Sequence, residues 1–279
     1  MNPVMHPFFL EAPARKLYCI AHRPHTSVSP RGNVLYVPPF AEEMHKSRRM
    51  AAQEARHLAQ RGITVLILDL HGCGDSSGDF VDASWDTWLE DIRLGTEWLR
   101  AQAPGPVVLW GLRLGALLAL EAAQYLRDVI TALIMWQPVI SGDEYLSEIL
   151  RIKAAGDILL ARKTTIHSLR QRLSLGDSVD LRGYELNAGL ATSLTTRTIT
   201  AMAVSGLAAG WFEVVTEAGA PISQSSQQVI EVLKHEGMEI CSAAISGDRF
   251  WYWNATDITE CSELLTKTDC YLDSMLGTP

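Results

Sequence analysis

The sequence is short of several features that would assign a function directly. It has no Cys-x-x-Cys pair, and its five cysteines (Cys19, Cys73, Cys241, Cys261, Cys270) are an odd, scattered set in 279 residues. That pattern excludes a disulfide framework or a zinc site and suits reduced thiols in a cytoplasm. Histidine is missing from the carboxyl-terminal part, with none after His235. No basic segment precedes the short apolar piece that Glu11 stops, so no secretory signal is expected. The most apolar window, residues 107–123, is broken by Arg113 and two glycines, so no membrane span is expected. Positive charge is in deficit: the formal net charge of −8 disfavours a nucleic-acid partner, and an anionic ligand would need a local basic site. The glycine-rich stretch His71-Gly72-Cys73-Gly74-Asp75-Ser76-Ser77-Gly78 lacks both Gly-x-Gly-x-x-Gly spacing and a following Gly-Lys-Ser/Thr. It reads as a tight surface loop, not a phosphate cradle, and no motif calls for a cofactor or a metal.

What is present is the composition of an ordinary globular protein, 47% hydrophobic and 20% charged, long enough for one large domain or one domain with an insertion. Lys16 to His22 alternates as an edge strand. Gly32 to Val37 is a buried strand ended by Pro38 and Pro39, and the segment from Ala41 runs into a helix reaching about Gln60. Gly62 to Leu70 is apolar almost throughout, as a parallel strand covered on both faces should be. Trp85, Trp88, Leu89, Ile92, Trp98 and Leu99 recur at helical spacing, the mark of core contacts. Val129 to Trp136 is a further strand. Strands alternating with helices imply a parallel sheet with helices on both faces. The rhythm breaks near Ser141 and resumes with a strand at Trp211 to Thr216, a helix from Ile222 to His235, a strand from Met238 to Ile245 and a closing helix from Ile258. Residues 141–210 are therefore expected to form an inserted helical cap, over a core made of residues 1–140 and 211–279.

The organising stretch is Val107 to Leu120, where an apolar run ends in Gly111-Leu112-Arg113-Leu114-Gly115 and continues as an alanine- and leucine-rich helix. Strand, sharp turn and helix in that order outline a nucleophile elbow, in which two glycines let a strained turn expose its central side chain. Together with Asp69-x-x-Gly72-x-Gly74-x-Ser76-x-Gly78 on the preceding strand and the interrupted strand order, it resembles the α/β-hydrolase superfamily. The resemblance implies an α/β-hydrolase fold over nearly the whole chain. More narrowly, Pro38-Pro39-Phe40-Ala41-Glu42-Glu43-Met44-His45-Lys46-Ser47-Arg48-Arg49 with the Gly111 to Gly115 motif is similar to the second type of hydrolase-like protein associated with the exosortase A system. That likeness implies a place beside bacterial exopolysaccharide production and PEP-CTERM protein sorting, with partners from such a synthesis system.

The chemistry the resemblance implies is incomplete here. Arg113 stands where the serine nucleophile would be, and a guanidinium is always protonated and cannot accept an acyl group. The triad acid would come from the turn holding Glu217, or from the turn after the preceding strand, where Asp143 and Glu144 lie. The turn that should supply the base, Ser246 to Trp253, has no histidine. Cys73, Ser76 and His71 on the glycine-rich loop are the substitute catalytic candidates. The candidate ligand-binding set is Arg113, Leu114, Phe40, Glu42, Glu43 and His45, facing a small molecule that is anionic or acyl-bearing. A buried arginine at a helix amino terminus needs a negative partner, which either Glu42 or Glu43, or a ligand, can supply. Two functions follow: a ligand-binding accessory pseudo-hydrolase, or an active hydrolase or acyltransferase on an ester or thioester using a non-standard site.

Overall fold

The computed structural model describes residues 3–252 and 259–278. In chain order the strands are β1 (Val4–Ala12), β2 (Arg15–Arg23), β3 (Gly32–Val37), β4 (Ile63–Leu68), β5 (Val107–Leu112), β6 (Ile130–Trp136), the two-residue pair β7 (Val179–Asp180) and β8 (Glu185–Leu186), β9 (Ala208–Val215) and β10 (Glu239–Ser246). The helices are α1 (Ala41–Gln60), α2 (Trp85–Gln102), α3 (Leu114–Tyr125), α4 (Gly142–Leu159), α5 (Ile166–Ser174), α6 (Ala188–Thr195), α7 (Gln224–His235) and α8 (Ser262–Leu276).

Eight strands form one sheet in the order β1-β2-β4-β3-β5-β6-β9-β10. β2 pairs antiparallel with both β1 and β4, and the six strands from β4 to β10 run parallel. β3, β4 and β5 are buried at every position, because helices cover both faces. Alternate residues then feed different cores. Val34, Tyr36, Val108, Trp110 and Leu112 face the layer under α1 and α8, whereas Leu35, Val37, Val107 and Leu109 face the layer under α2, α3 and α7. Trp85 and Trp88 are core residues, and each indole is satisfied: Trp85 Nε1 donates to Glu121 (2.8 Å) and Trp88 Nε1 to the His71 carbonyl (2.9 Å). The mainly parallel sheet expected from the rhythm of the sequence, in the α/β-hydrolase arrangement that the resemblance implies, is the fold observed.

Between β6 and β9 lie α4, α5, the β7–β8 pair and α6, packed on one another. Polar ties hold them to the sheet layers. The Asn187 amide at the start of α6 donates to the carbonyls of Val81 and Ala83, both at 2.8 Å, and Arg197 donates from Nε to Glu121 of α3 at 2.9 Å.

Some elements differ from expectation. The leading apolar piece is strand β1, joined to β2 by a tight turn with Ala14 at φ 61°; its largely exposed edge position leaves no strong alternation to read. β9 opens at Ala208, inside the stretch expected to belong to the cap, because small residues occupy its first three positions. Met1, Asn2, Trp253 and Ile258, the expected start of the closing helix, lie outside the described residues; α8 begins at Ser262.

His22 on β2 carries a measurable consequence of this packing. The residue is buried and, among the described residues, neither ring nitrogen has a partner; burial, helped by Arg56, pushes its pKa from 6.5 down to about 4. A folded-state pKa below the unfolded value means that the full stability is present above pH 6.5 and is lost as pH falls toward 4. His22→Leu should therefore lose about 2 kcal/mol less than the wild type between pH 7 and pH 4.5, read from urea melts at the two values. Equal losses would mean that the ring is already hydrated in the native state.

Candidate functional site

The site is built on the turn after β5. A Cβ on Gly111 would sit 2.4 Å from the Ala116 backbone, and one on Gly115 would sit 2.1 Å from the Val37 carbonyl oxygen. Only glycine lets α3 start this close to β3 and β5. The residue between them, Arg113, is forced to φ 54° and ψ −120°, a strained conformation for a side chain with a Cβ. Its backbone is pinned on both sides: Arg113 N donates to Trp136 O at 2.9 Å, and Val139 N donates to Arg113 O at 3.3 Å. This is the elbow geometry, carrying a guanidinium.

The Arg113 side chain is only 11% exposed, so its charge has to be answered locally. Nε donates to Glu43 Oε1 at 2.9 Å, and Nη2 donates to Glu148 Oε2 at 2.8 Å. The Tyr145 hydroxyl donates to the other Glu43 oxygen at 2.8 Å, and the guanidinium lies 5.4 Å from the centre of the Tyr145 ring. Burial, reinforced by Glu43, pushes the Tyr145 phenol well above its usual value, so it remains a donor. Burial also raises the Glu43 carboxyl, and Arg113 works against that shift. Glu43 comes from the first turn of α1; Tyr145 and Glu148, three residues apart, share one face of α4. One guanidinium therefore joins the elbow, the turn after β3 and the segment inserted after β6.

The other expected site residues divide around this cluster. Phe40, at the start of α1, is buried against Phe80, Trp88 and Tyr145, and Leu114 is buried in the core. Of the two carboxylates expected to reach Arg113, Glu43 does so; Glu42, partly exposed, makes no ion pair or hydrogen bond among the described residues. His45 is exposed, its ring tilted against Tyr184 at 5.9 Å. The guanidinium offered to an anionic ligand is already held by two carboxylates.

The substitute nucleophiles are locked away. Cys73 is buried, and burial, reinforced by Asp69 and Asp91, pushes its thiol up, so the reactive thiolate is withheld. The Ser76 hydroxyl donates to the Asp69 carbonyl at 2.6 Å and accepts from Tyr18 N at 2.8 Å, leaving it committed to loop structure. His71 makes no hydrogen bond to Cys73; its ring packs beneath Gly78, where a Cβ would come within 2.4 Å of it.

The positions where a triad acid and base belong are equally changed. Glu217 is exposed, Asp143 is turned to Arg170 at 2.8 Å, and Glu144 stands exposed at the rim. At the end of β6, Gln137 (φ 44°) accepts from Val214 N through Oε1 at 2.7 Å, bridging to β9. After β10 the turn supplies Phe250 and Trp251, both buried, with Phe250 edge-on to Trp136 at 6.1 Å. Above Arg113 a cavity of about 190 Å³ remains, lined also by Gln137, Glu144, Tyr145, Glu148, Glu213 and Ser223. That is below the roughly 300 Å³ at which small-molecule pockets begin. Glu213, buried on β9, is held by Ser223, whose amide donates at 2.9 Å and whose hydroxyl donates at 3.2 Å. Tyr145, Glu148, Glu213, Gln137 and Ser223 were not singled out from the sequence. The available signal was a lone carboxylate within the apolar strand Trp211-Phe212-Glu213-Val214-Val215, which demands a buried partner.

Comparison with known proteins agrees with this frame. The structure superposes on Est1E from Butyrivibrio proteoclasticus with ferulic acid bound (TM-score 0.65, 17% identity, 97% of this chain and 100% of that one). It is similar also to a highly thermostable carboxyl esterase from Bacillus coagulans in complex with glycerol (TM-score 0.70, 14% identity, 98% and 99%). A third similar structure is the α/β hydrolase GrgF from Penicillium sp. sh18 (TM-score 0.64, 16% identity, 98% and 99%). At such identities the likeness establishes the fold alone. No curated protein matches the sequence. The family described as serine aminopeptidase, S33, matches residues 28–210, more than half of the chain, and carries the assignment beyond shape: this protein belongs to the S33 family of α/β-hydrolases.

Proposed function

We propose that this chain is a non-hydrolytic member of its family, an accessory protein that binds a small ligand and serves bacterial exopolysaccharide production of the exosortase A type. The observation that carries the loss of hydrolysis is Arg113 in the elbow, ion-paired to Glu43 and Glu148. Acyl transfer needs a nucleophile, a base within hydrogen-bond reach and a third group to orient the base. Here the first is a guanidinium, the second is replaced by Phe250 and Trp251, and the third has Gln137 near its place. The exopolysaccharide setting rests on the resemblance of the Pro38 to Arg49 and Gly111 to Gly115 stretches. Because Arg113 is already neutralised, the ligand is expected to be small and to meet the rim formed by Glu144, Glu213 and Ser223 without an anionic group directed at the guanidinium.

Purified protein should turn over neither p-nitrophenyl esters nor acyl-CoA thioesters above the buffer rate. Hydrolysis that disappears in Cys73→Ala or Ser76→Ala would overturn the proposal.

Arg113→Ser should likewise show no esterase activity, since a lone serine lacks a histidine to take its proton. Removing the cation strands Glu43, and the variant should lose about 3 kcal/mol at pH 8. Without Arg113, burial and the Glu148 charge raise the Glu43 carboxyl against the Tyr145 hydrogen bond alone, so its folded pKa lies further above the unfolded value of 4.5; the stability cost is then absent below that value and grows as pH rises. The deficit should accordingly shrink on lowering the pH to 5. Glu148→Gln, at a half-exposed position, should cost under about 1 kcal/mol. Chemical denaturation of the three proteins at both pH values checks the set, and an Arg113→Ser deficit independent of pH would show that Glu43 is not the group left behind.

A further inference from the structure

The carboxyl end of α4, far along the chain from the elbow residues, ends in Ile158, Leu159 and Leu160, three consecutive aliphatic residues that are 63%, 87% and 67% exposed. A run of this kind on a soluble surface is uncommon, because each side chain costs free energy in water without a partner to cover it. The charge around it is the reverse of the molecule's. Between Arg151 and Arg172 the sequence carries six basic residues and one acidic residue, Asp157, in a protein of net charge −8. Asp157 is itself masked, with Lys153 Nζ at 3.1 Å and Arg162 Nη1 at 3.6 Å. Arg162 and Lys163, just past the aliphatic tip, are exposed, and Arg151 is exposed two turns before Ile158 on α4. Beside the tip is a shallow cavity of about 340 Å³, lined by Leu159 and Leu160 together with Lys153, Arg162, Asp157 and Asp180, the last 3.5 Å from Lys153 Nζ, so that Arg162 and Lys163 are the cations turned outward.

We infer that this tip is a docking surface for a bilayer bearing anionic headgroups. The aliphatic side chains would enter the interface while Arg162 and Lys163 meet lipid phosphates. Apolar burial and cationic attraction are the two components that hold a peripheral segment to such a surface, and here they occur in neighbouring residues. An acidic protein partner would match the cations but gives no reason for three adjacent aliphatics at the most exposed point; a second copy of this chain would match the aliphatics but brings the same positive charge against itself. The surface requires no spanning segment, in keeping with the absence, among the described residues, of any helix long and apolar enough to cross a membrane.

Co-sedimentation of the full chain with phosphatidylcholine vesicles, with and without phosphatidylglycerol, tests the inference. Binding is expected only to the anionic vesicles and should weaken with added salt. Since each cation near such a surface contributes about fivefold, the double variant Arg162→Glu/Lys163→Glu should bind more than about tenfold less. Leu159→Asp/Leu160→Asp should fall comparably, and both variants should melt at the wild-type temperature because the positions are exposed. Failure of the wild type to sediment with either vesicle would overturn the proposal, as would unchanged binding by the aspartate variant. Light scattering that shows a dimer dissolved by the aspartates, with no vesicle binding, would also overturn it and assign the tip to self-association.

Discussion

A guanidinium buried at the amino end of a helix is the constraint on which the rest of this site depends. The dipole of α3 presents positive potential at that point, and a cation placed there gains nothing from the helix and loses its water. The turn that holds it cannot relax, since Gly111 and Gly115 fix the backbone against β3 and α3. Negative charge must therefore be brought to Arg113, and it comes from two directions: Glu43 from below, nearly buried, and Glu148 from α4, half open to solvent. A serine in the same position would leave Glu43 without its cation. An arginine supplies it and makes the segment after β6 part of the same polar network as the sheet.

This separation of frame from chemistry follows from what each requires. The elbow frame depends on backbone approach, and its determinants are glycines and the apolar strand β5, none of which takes part in a reaction. Catalysis depends on three side chains supplied by turns after three different strands, and turns accept substitution without disturbing the sheet. The chain has every determinant of the first kind, while the elbow position carries Arg113 and the turn after β10 carries Phe250 and Trp251.

Legibility in the sequence followed the same division. β3, β4 and β5 were readable because burial on both faces makes a strand uniformly apolar, and α2 because its tryptophans repeat at helical spacing. β1 was not readable, since an edge strand with most side chains in water has no periodic signal. In the site, the sequence offered Arg113 either Glu42 or Glu43, or a ligand, because the turns after β3 and β5 neighbour in the sheet; only the structure selects Glu43. Tyr145 and Glu148 could not. Their spacing shows that they share a helix face, but only the fold of the inserted segment decides that this face meets the elbow. The Cys73 and His71 pair looked adjacent in sequence, and burial of the thiol beneath Asp69 and Asp91 removed it.

The aromatic turn after β10 makes the change at the elbow harder to reverse than one residue would suggest. Trp136 lies at the end of β6, stacks edge-on against Trp110 of β5 at 4.6 Å, and donates through Nε1 to Thr268 of α8 at 2.9 Å. Phe250 packs on its other side, and Trp251 packs on Phe250 at 5.0 Å. The turn from which a catalytic histidine would come is thus part of the apolar layer that seals α8 onto the sheet. A histidine introduced at Phe250 would be buried among aromatic side chains, where desolvation lowers its pKa. Arg113 is held by the carboxylates around it, and Phe250 and Trp251 are held by the packing that closes α8 onto the sheet. Each position is held by a different force, so a change at one leaves the other as it is.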